Sequence, residues 1–158
     1  MNARMPELRH CFETAGFTQV RTLLSSGNVV FTTRTASLDR LARRAEKAMQ
    51  SELGRSFETF IRPARYLRDL IESDPFAEFS FPSAAKCVVT FLRKAPDTAV
   101  ALPGARDGAS ILKVSATEVF SVYVPGPKGA SFMGVLERTF GKSITTRTLA
   151  TVSKCALE

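Results

Sequence analysis

The order of elements repeats along this 158-residue chain, and that repeat constrains the fold more than any single motif. Residues 5–62 read as helix, strand, strand, helix, strand. Residues 86–147 read as strand, short helix, strand, strand, helix, strand. The second run is a βαββαβ unit, the split-βαβ or ferredoxin-like pattern. The first run matches it if its opening strand is missing. In this topology right-handed crossovers set both helices on one face of an antiparallel sheet, and the opening strand is central, paired on both sides. A unit without that strand leaves two edges open, so either another chain or an element of the second half is expected to replace it, or the natural protein is expected to begin upstream of Met1. The expected fold is therefore α+β, with two ferredoxin-like (βαββαβ) halves at 1–72 and 86–158 and a linker at 73–85. The first half lacks its opening strand.

Local chemistry supports these boundaries. Met5, Leu8, Cys11, Phe12 and Ala15 follow the helical period, with Pro6 suited to a first helical position and Gly16 to a left-handed stop. Thr18–Leu24 and Val29–Thr33 are β-branched and apolar, and Ser25-Ser26-Gly27-Asn28 between them is a tight hairpin turn. Ser37 caps a helix with Leu38, Leu41, Ala42, Ala45, Ala48, Met49 and Leu53 inward, and Gly54 ends it. Its outer face carries Arg40, Arg43, Arg44 and Lys47. Phe57–Ile61 reads as a short strand, and Pro63 opens a helix to about Glu72. In the linker, Phe76, Phe79 and Phe81 are expected to pin the segment to the body. The second half runs through a strand at Lys86–Leu92, a short helix at Pro96–Leu102 and a hairpin of Ile111–Val114 with Val119–Val124. Ser131 is expected to cap the next helix and Gly141 to close it. A short strand at Ile144–Arg147 and a final helix from about Leu149 follow.

Several of these runs resemble one family. Met5-Pro6-Glu7-Leu8-Arg9, Ala15-Gly16-Phe17-Thr18, Val20-Arg21-Thr22, Ser26-Gly27-Asn28-Val29-Val30-Phe31 and Thr145-Thr146-Arg147 are similar to segments of the bacterial domain of unknown function 1697. The resemblance implies two linked ferredoxin-like halves in a cytoplasmic bacterial protein without an established activity. The chain departs from the family pattern in three places. Family members begin with a strand running into a glycine-rich loop, whereas this sequence starts at the helix. The family's Asn-Trp after Thr-Thr-Arg is replaced by Thr148-Leu149. A Ser-Lys pair before the penultimate helix has no clear counterpart in Gly129-Ala130-Ser131.

Composition narrows the chemistry. There is no run of about 18 apolar residues, so no membrane-spanning helix is expected. Met1-Asn2-Ala3-Arg4 lacks the apolar core of a signal peptide. The three cysteines are odd in number, widely spaced and without a CxxC pair, which suits buried thiols in a reducing cytoplasm. His10 is the only histidine and lies opposite the apolar stripe of its helix. No metal site, no cofactor and no catalytic constellation can be assembled, so an enzyme is disfavoured.

The net charge of +7 points to an anionic partner. The sharpest candidate is an anion site of Lys128, Ser131 and Arg147, with Thr145 and Thr146 beside it, where a loop enters a helix N-terminus. A flexible loop, helix-capping threonines and a paired Arg147 explain the same residues structurally. Ser26, Gly27 and Asn28 have a sufficient role as turn residues, and a binding role for them rests on the resemblance. The expected function is a small binding or interaction module for an anionic ligand. Competing readings are a nucleic-acid binder and an enzyme acting on a phosphorylated or carboxylated small molecule. A homodimer is expected if another chain replaces the missing strand.

Overall fold

The computed structural model describes residues 3–96, 102, 108–126 and 129–157, with backbone alone at 129–131. Its elements run α1 (Met5–Thr14), β1 (Thr18–Leu23), β2 (Asn28–Thr32), α2 (Leu38–Leu53), α3 (Ala64–Glu72), β3 (Lys86–Leu92), β4 (Ala109–Ser115), β5 (Glu118–Tyr123), α4 (Gly129–Phe140), β6 (Ile144–Thr148) and α5 (Leu149–Leu157). Among the described residues these five helices and two antiparallel sheets make an α+β fold. The chain packs as two units, Met1–Arg68 with Lys154–Glu158, and Asp69–Ser153.

In the first unit, α1 carries Pro6 in its first turn, where a missing N–H costs no helical bond. α2 starts where Ser37 Oγ accepts the Arg40 N–H at 3.2 Å, and ends at Gly54, which takes φ +74°. Leu8, Cys11 and Phe12 of α1, Leu41, Ala45 and Met49 of α2, and Phe17 and Val20 form one core. Val29, Phe31, Phe57 and Ile61 pack on it half-buried. Leu38 stays on the exposed side of α2 rather than joining this core. Three rings knit the core: Phe17 stacks on Phe31 at 4.4 Å between centroids, and Phe12 lies 5.6 Å from each.

The sheet of this unit is the antiparallel β1–β2 hairpin. Its ladder is interrupted between Thr18 and Arg21, where Gln19 adopts φ +51°. The strand expected at Phe57–Ile61 is not formed; among the described residues the segment joins neither sheet. Its Thr59 N–H instead donates to Glu46 Oε2 at 2.8 Å. A strand exists only as half of a ladder. The expected neighbour of this segment is an opening strand, and among the described residues no strand precedes α1.

The second unit holds a four-stranded antiparallel sheet in the order β4-β5-β3-β6. β3 is central, paired from Lys86↔Tyr123 to Phe91↔Glu118 on one edge and from Val88↔Thr148 to Leu92↔Ile144 on the other. Val88, Leu92, Ile111 and Val119 meet Phe132 and Leu136 of α4 on one face. On the other face Val89, Phe91, Phe120 and Val122 are also buried. Phe76 stands edge-on to Phe120 at 5.8 Å and to Phe81 at 6.4 Å. Lys113 Nζ lies over the Phe79 and Phe120 rings and bonds Glu78 Oε1 at 3.0 Å. The phenylalanines of residues 73–85 thus pack within the second unit. Burial on both faces explains why β3 reads as a nearly continuous apolar run rather than an alternating one.

Two sequence expectations need adjusting here. α4 begins at Gly129, so Ser131 stands inside the first turn and not at its cap. The short helix expected at Pro96–Leu102 falls largely on 97–101, outside the described residues.

Ser121 carries a cost that can be measured. It is fully buried on the β5 face that meets α4, and among the described residues its Oγ has no hydrogen-bond partner. An unsatisfied buried hydroxyl costs about 1–3 kcal/mol. Ser121→Ala is therefore expected to raise stability by about 1 kcal/mol, seen as a higher melting temperature by circular dichroism. A lower melting temperature would show that the hydroxyl has a partner.

Candidate functional site

The threonine–arginine run forms β6, and strand geometry divides its side chains between two faces. Thr145 and Arg147 share one face. Arg147 Nη1 donates to Thr145 Oγ1 at 2.8 Å and to the Thr146 carbonyl at 3.0 Å. Thr146 points the other way, where its Oγ1 shares a 2.8 Å hydrogen bond with Thr90 Oγ1 in the buried sheet. Thr148 Oγ1 accepts the Thr151 N–H at 3.3 Å and caps α5. Thr146 thus does not converge with Thr145 and Arg147 on one ligand, and both hydroxyls have bonds within the fold. Lys128 lies outside the described residues, and so does the side chain of Ser131.

Ser26, Gly27 and Asn28 belong to the first unit and form the end of the β1–β2 turn. Asn28 is buried, and its Nδ2 donates to the Leu23 carbonyl at 3.0 Å and to Ser26 Oγ at 2.8 Å. Gly27 takes φ +89°, a conformation that glycine adopts without steric cost. Leu24 opens the same turn at φ +62° with half its surface exposed. Because Leu24 is left-handed, β1 stops at Leu23, one residue short of the sequence expectation.

The cations of α2 have separate tasks. Arg44 Nη2 donates to the Ala15 carbonyl at 2.6 Å, with its guanidinium carbon 4.7 Å from the centre of the Phe17 ring. It therefore satisfies an end-group of α1, where positive charge is favoured by the helix dipole. Arg43 pairs with Asp39 one turn earlier at 2.6 Å. Arg40 and Lys47 are exposed on the same side. The role of Arg44 was not readable in the sequence, because its partner lies 29 residues away.

Charge is shared unequally between the units. The first holds 13 of the 22 Lys and Arg and 7 of the 15 Asp and Glu, a net +6; the second holds 9 and 8, a net +1. Nearly all of the basic character noted in the sequence is a property of the first unit.

Other reactive groups are muted. His10 is exposed, and its Nε2 lies 3.7 Å from Glu52 Oε2. Among the described residues no group of three or more His, Cys, Asp and Glu is placed to hold a metal ion. No helix among them is long and apolar enough to cross a membrane. The three cysteines are free. Burial raises the Cys11 thiol pKa, with a further rise from Glu52, and burial followed by Asp74 raises that of Cys87. The folded chain then holds these protons more tightly than the unfolded chain does. Stability is expected to fall as the pH rises above the ordinary thiol range of about 8.5. Denaturant melts of Cys11→Ala and the parent across that range check this, and the variant should lose part of the decline.

Likeness to other proteins extends over the whole fold but carries no activity with it. The chain has no match among curated proteins. A conserved bacterial protein from Streptococcus pneumoniae has a similar structure, with a TM-score of 0.67 at 16% identity; the match covers 99% of this chain and 88% of the other. The family model for the protein of unknown function DUF1697 matches residues 1–120, a span that includes Met5–Phe31 and stops short of Thr145-Thr146-Arg147. With well over half of its length matched, the chain belongs to the DUF1697 family of proteins of unknown function.

Proposed function

We propose that this protein is a small cytoplasmic interaction module whose first unit engages an anionic partner. The observation that carries the reading is the division of charge, net +6 in the first unit against +1 in the second. A field of one sign concentrated on one small unit steers anions to it. The exposed outer side of α2, with Arg40 and Lys47, is where the partner is read to dock. Both halves are read as ferredoxin-like. What supports this in the second is the order β4-β5-β3-β6, with its first strand central, and in the first the matching order of helices and hairpin.

A nucleic acid is the less favoured anion. Phe91, an aromatic residue on the central strand of the second unit, is 7% exposed. Phe31 is engaged with Phe12 and Phe17 in the core of the first unit. Base stacking needs an open aromatic face.

The test is fluorescence anisotropy of labelled polyglutamate and labelled single-stranded oligonucleotide with the whole chain, across a salt series. Binding should weaken as salt rises, and Arg40→Glu with Lys47→Glu should lower affinity at least about tenfold. Absence of salt-sensitive binding to either polyanion would overturn the reading.

A further inference from the structure

The outer side of α2 carries its charges in a pattern that repeats after two turns. Asp39-Arg40 and Glu46-Lys47 are each an acid followed by a base, seven residues apart. Seven residues advance a helix by about 10.5 Å and return to within about 20° of the starting direction. The two bases therefore lie in one row along the helix, and the two acids in another about a quarter turn away. The acids are engaged: Asp39 pairs with Arg43 at 2.6 Å, and Glu46 Oε2 accepts the Thr59 N–H at 2.8 Å. Arg44, between the two bases in their row, is held by the Ala15 carbonyl. Arg40 and Lys47 are exposed, and among the described residues no ion pair or side-chain hydrogen bond holds either of them.

We infer that this face docks an acidic helix of a protein partner, with two carboxylates two turns apart set against Arg40 and Lys47. This rests on the reading of an anionic partner at α2 and specifies its class. The spacing selects a helix. Side chains at i and i+7 of a partner helix stand on one face about 10.5 Å apart, so a helix lying alongside α2 meets both bases in register. Same-face residues of an extended strand recur at about 6.8 Å and then about 13.6 Å, which fit one base at a time. The acid row disfavours a polymer of uniform charge. A phosphate backbone is charged at every nucleotide and lays part of that charge against Asp39 and Glu46. A protein can set an acid against each base and none against the acid row. A lipid surface takes apolar side chains along with cations, yet Leu38, the exposed leucine of α2, lies about 180° round the helix from Lys47. Each exposed ion pair contributes little affinity, so the matched spacing acts through selectivity.

The test is an NMR titration of the whole chain at low salt, read on the α2 amides, with a side-chain-stapled helical peptide of about 15 residues. Its glutamates stand at i and i+7. Three probes accompany it: an isomer of the same composition with glutamates at i and i+5, a counterpart with lysines at i and i+7, and a single-stranded oligonucleotide of the same net charge. The i, i+7 glutamate peptide should bind about fivefold more tightly than its isomer, whose carboxylates point to different sides. The chain carrying Arg40→Glu with Lys47→Glu should reverse the preference and bind the lysine peptide about fivefold more tightly than the glutamate one. Both positions are exposed, and an unchanged circular dichroism melt checks that the variant is folded. If the two glutamate isomers bind equally, the docked helix is overturned while the anionic partner stands. If the charge-reversed chain does not prefer the lysine peptide, pairing at Arg40 and Lys47 is overturned. Tighter binding of the oligonucleotide than of the i, i+7 peptide assigns the face to nucleic acid and overturns the protein partner. If neither the acidic peptides and polyglutamate nor the oligonucleotide binds, both readings fall.

Discussion

Phe12→Ala is expected to lower the stability of the first unit by about 3–5 kcal/mol. Phe12 is 4% exposed and reaches both Phe17 and Phe31, so its ring joins α1 to the start of β1 and to β2. Truncation removes the transfer energy of the ring and leaves a cavity between rings that cannot collapse onto it, since Phe17 and Phe31 already stack on each other. The loss is a large share of the roughly 5–15 kcal/mol that a typical domain has. The hairpin has no third strand to fall back on among the described residues. Hydrogen exchange localises the effect: amides of α1, β1 and β2 should exchange much faster, while those of β3 and β5 should change little. Equal acceleration in β3 and β5 would show that the two units unfold as one.

Leu136→Ala should have an effect of about 2–5 kcal/mol confined to the second unit. Leu136 has no exposed surface and lies on α4 among Val88, Leu92, Ile111, Val119 and Phe132. A methyl group at this position cannot reach the sheet, and neighbouring β-branched side chains are stiff and fill space poorly by changing rotamer. The chain lacks tryptophan and has two tyrosines. Tyr123 stacks on Phe132 of α4 at 5.5 Å, whereas Tyr66 belongs to the first unit. In a Tyr66→Phe background, tyrosine emission reports the second unit alone. Its denaturation midpoint should fall clearly on Leu136→Ala and hardly at all on Phe12→Ala. A midpoint unmoved by Leu136→Ala would show that α4 does not hold the sheet.

Much of the architecture was legible because it depends on short-range chemistry. The helical period of Leu8, Cys11 and Phe12, the Ser37 cap and the Gly54 stop are all encoded within a few residues of where they act. The hairpin turn at Ser26-Gly27-Asn28 is of the same kind: Asn28 closes it through bonds to Leu23 and Ser26. The failures have one cause. Phe57–Ile61 has strand-like residues, but a strand needs a partner, and partners are chosen by the fold. The hydroxyls and guanidinium of 145–147 looked like one polar cluster along the chain, whereas the pleat sends Thr146 to one face and Thr145 with Arg147 to the other.

The sequence by itself determined which stretches become helices and hairpins, that the fold is α+β, and which family the chain belongs to, because propensity, capping and periodicity act locally. Tertiary structure alone decided that β3 is central and bonded on both edges, that Arg44 serves the end of α1, and that β2 keeps an edge without a strand among the described residues. These outcomes depend on contacts between residues far apart in the chain, whose energies no local window of sequence contains.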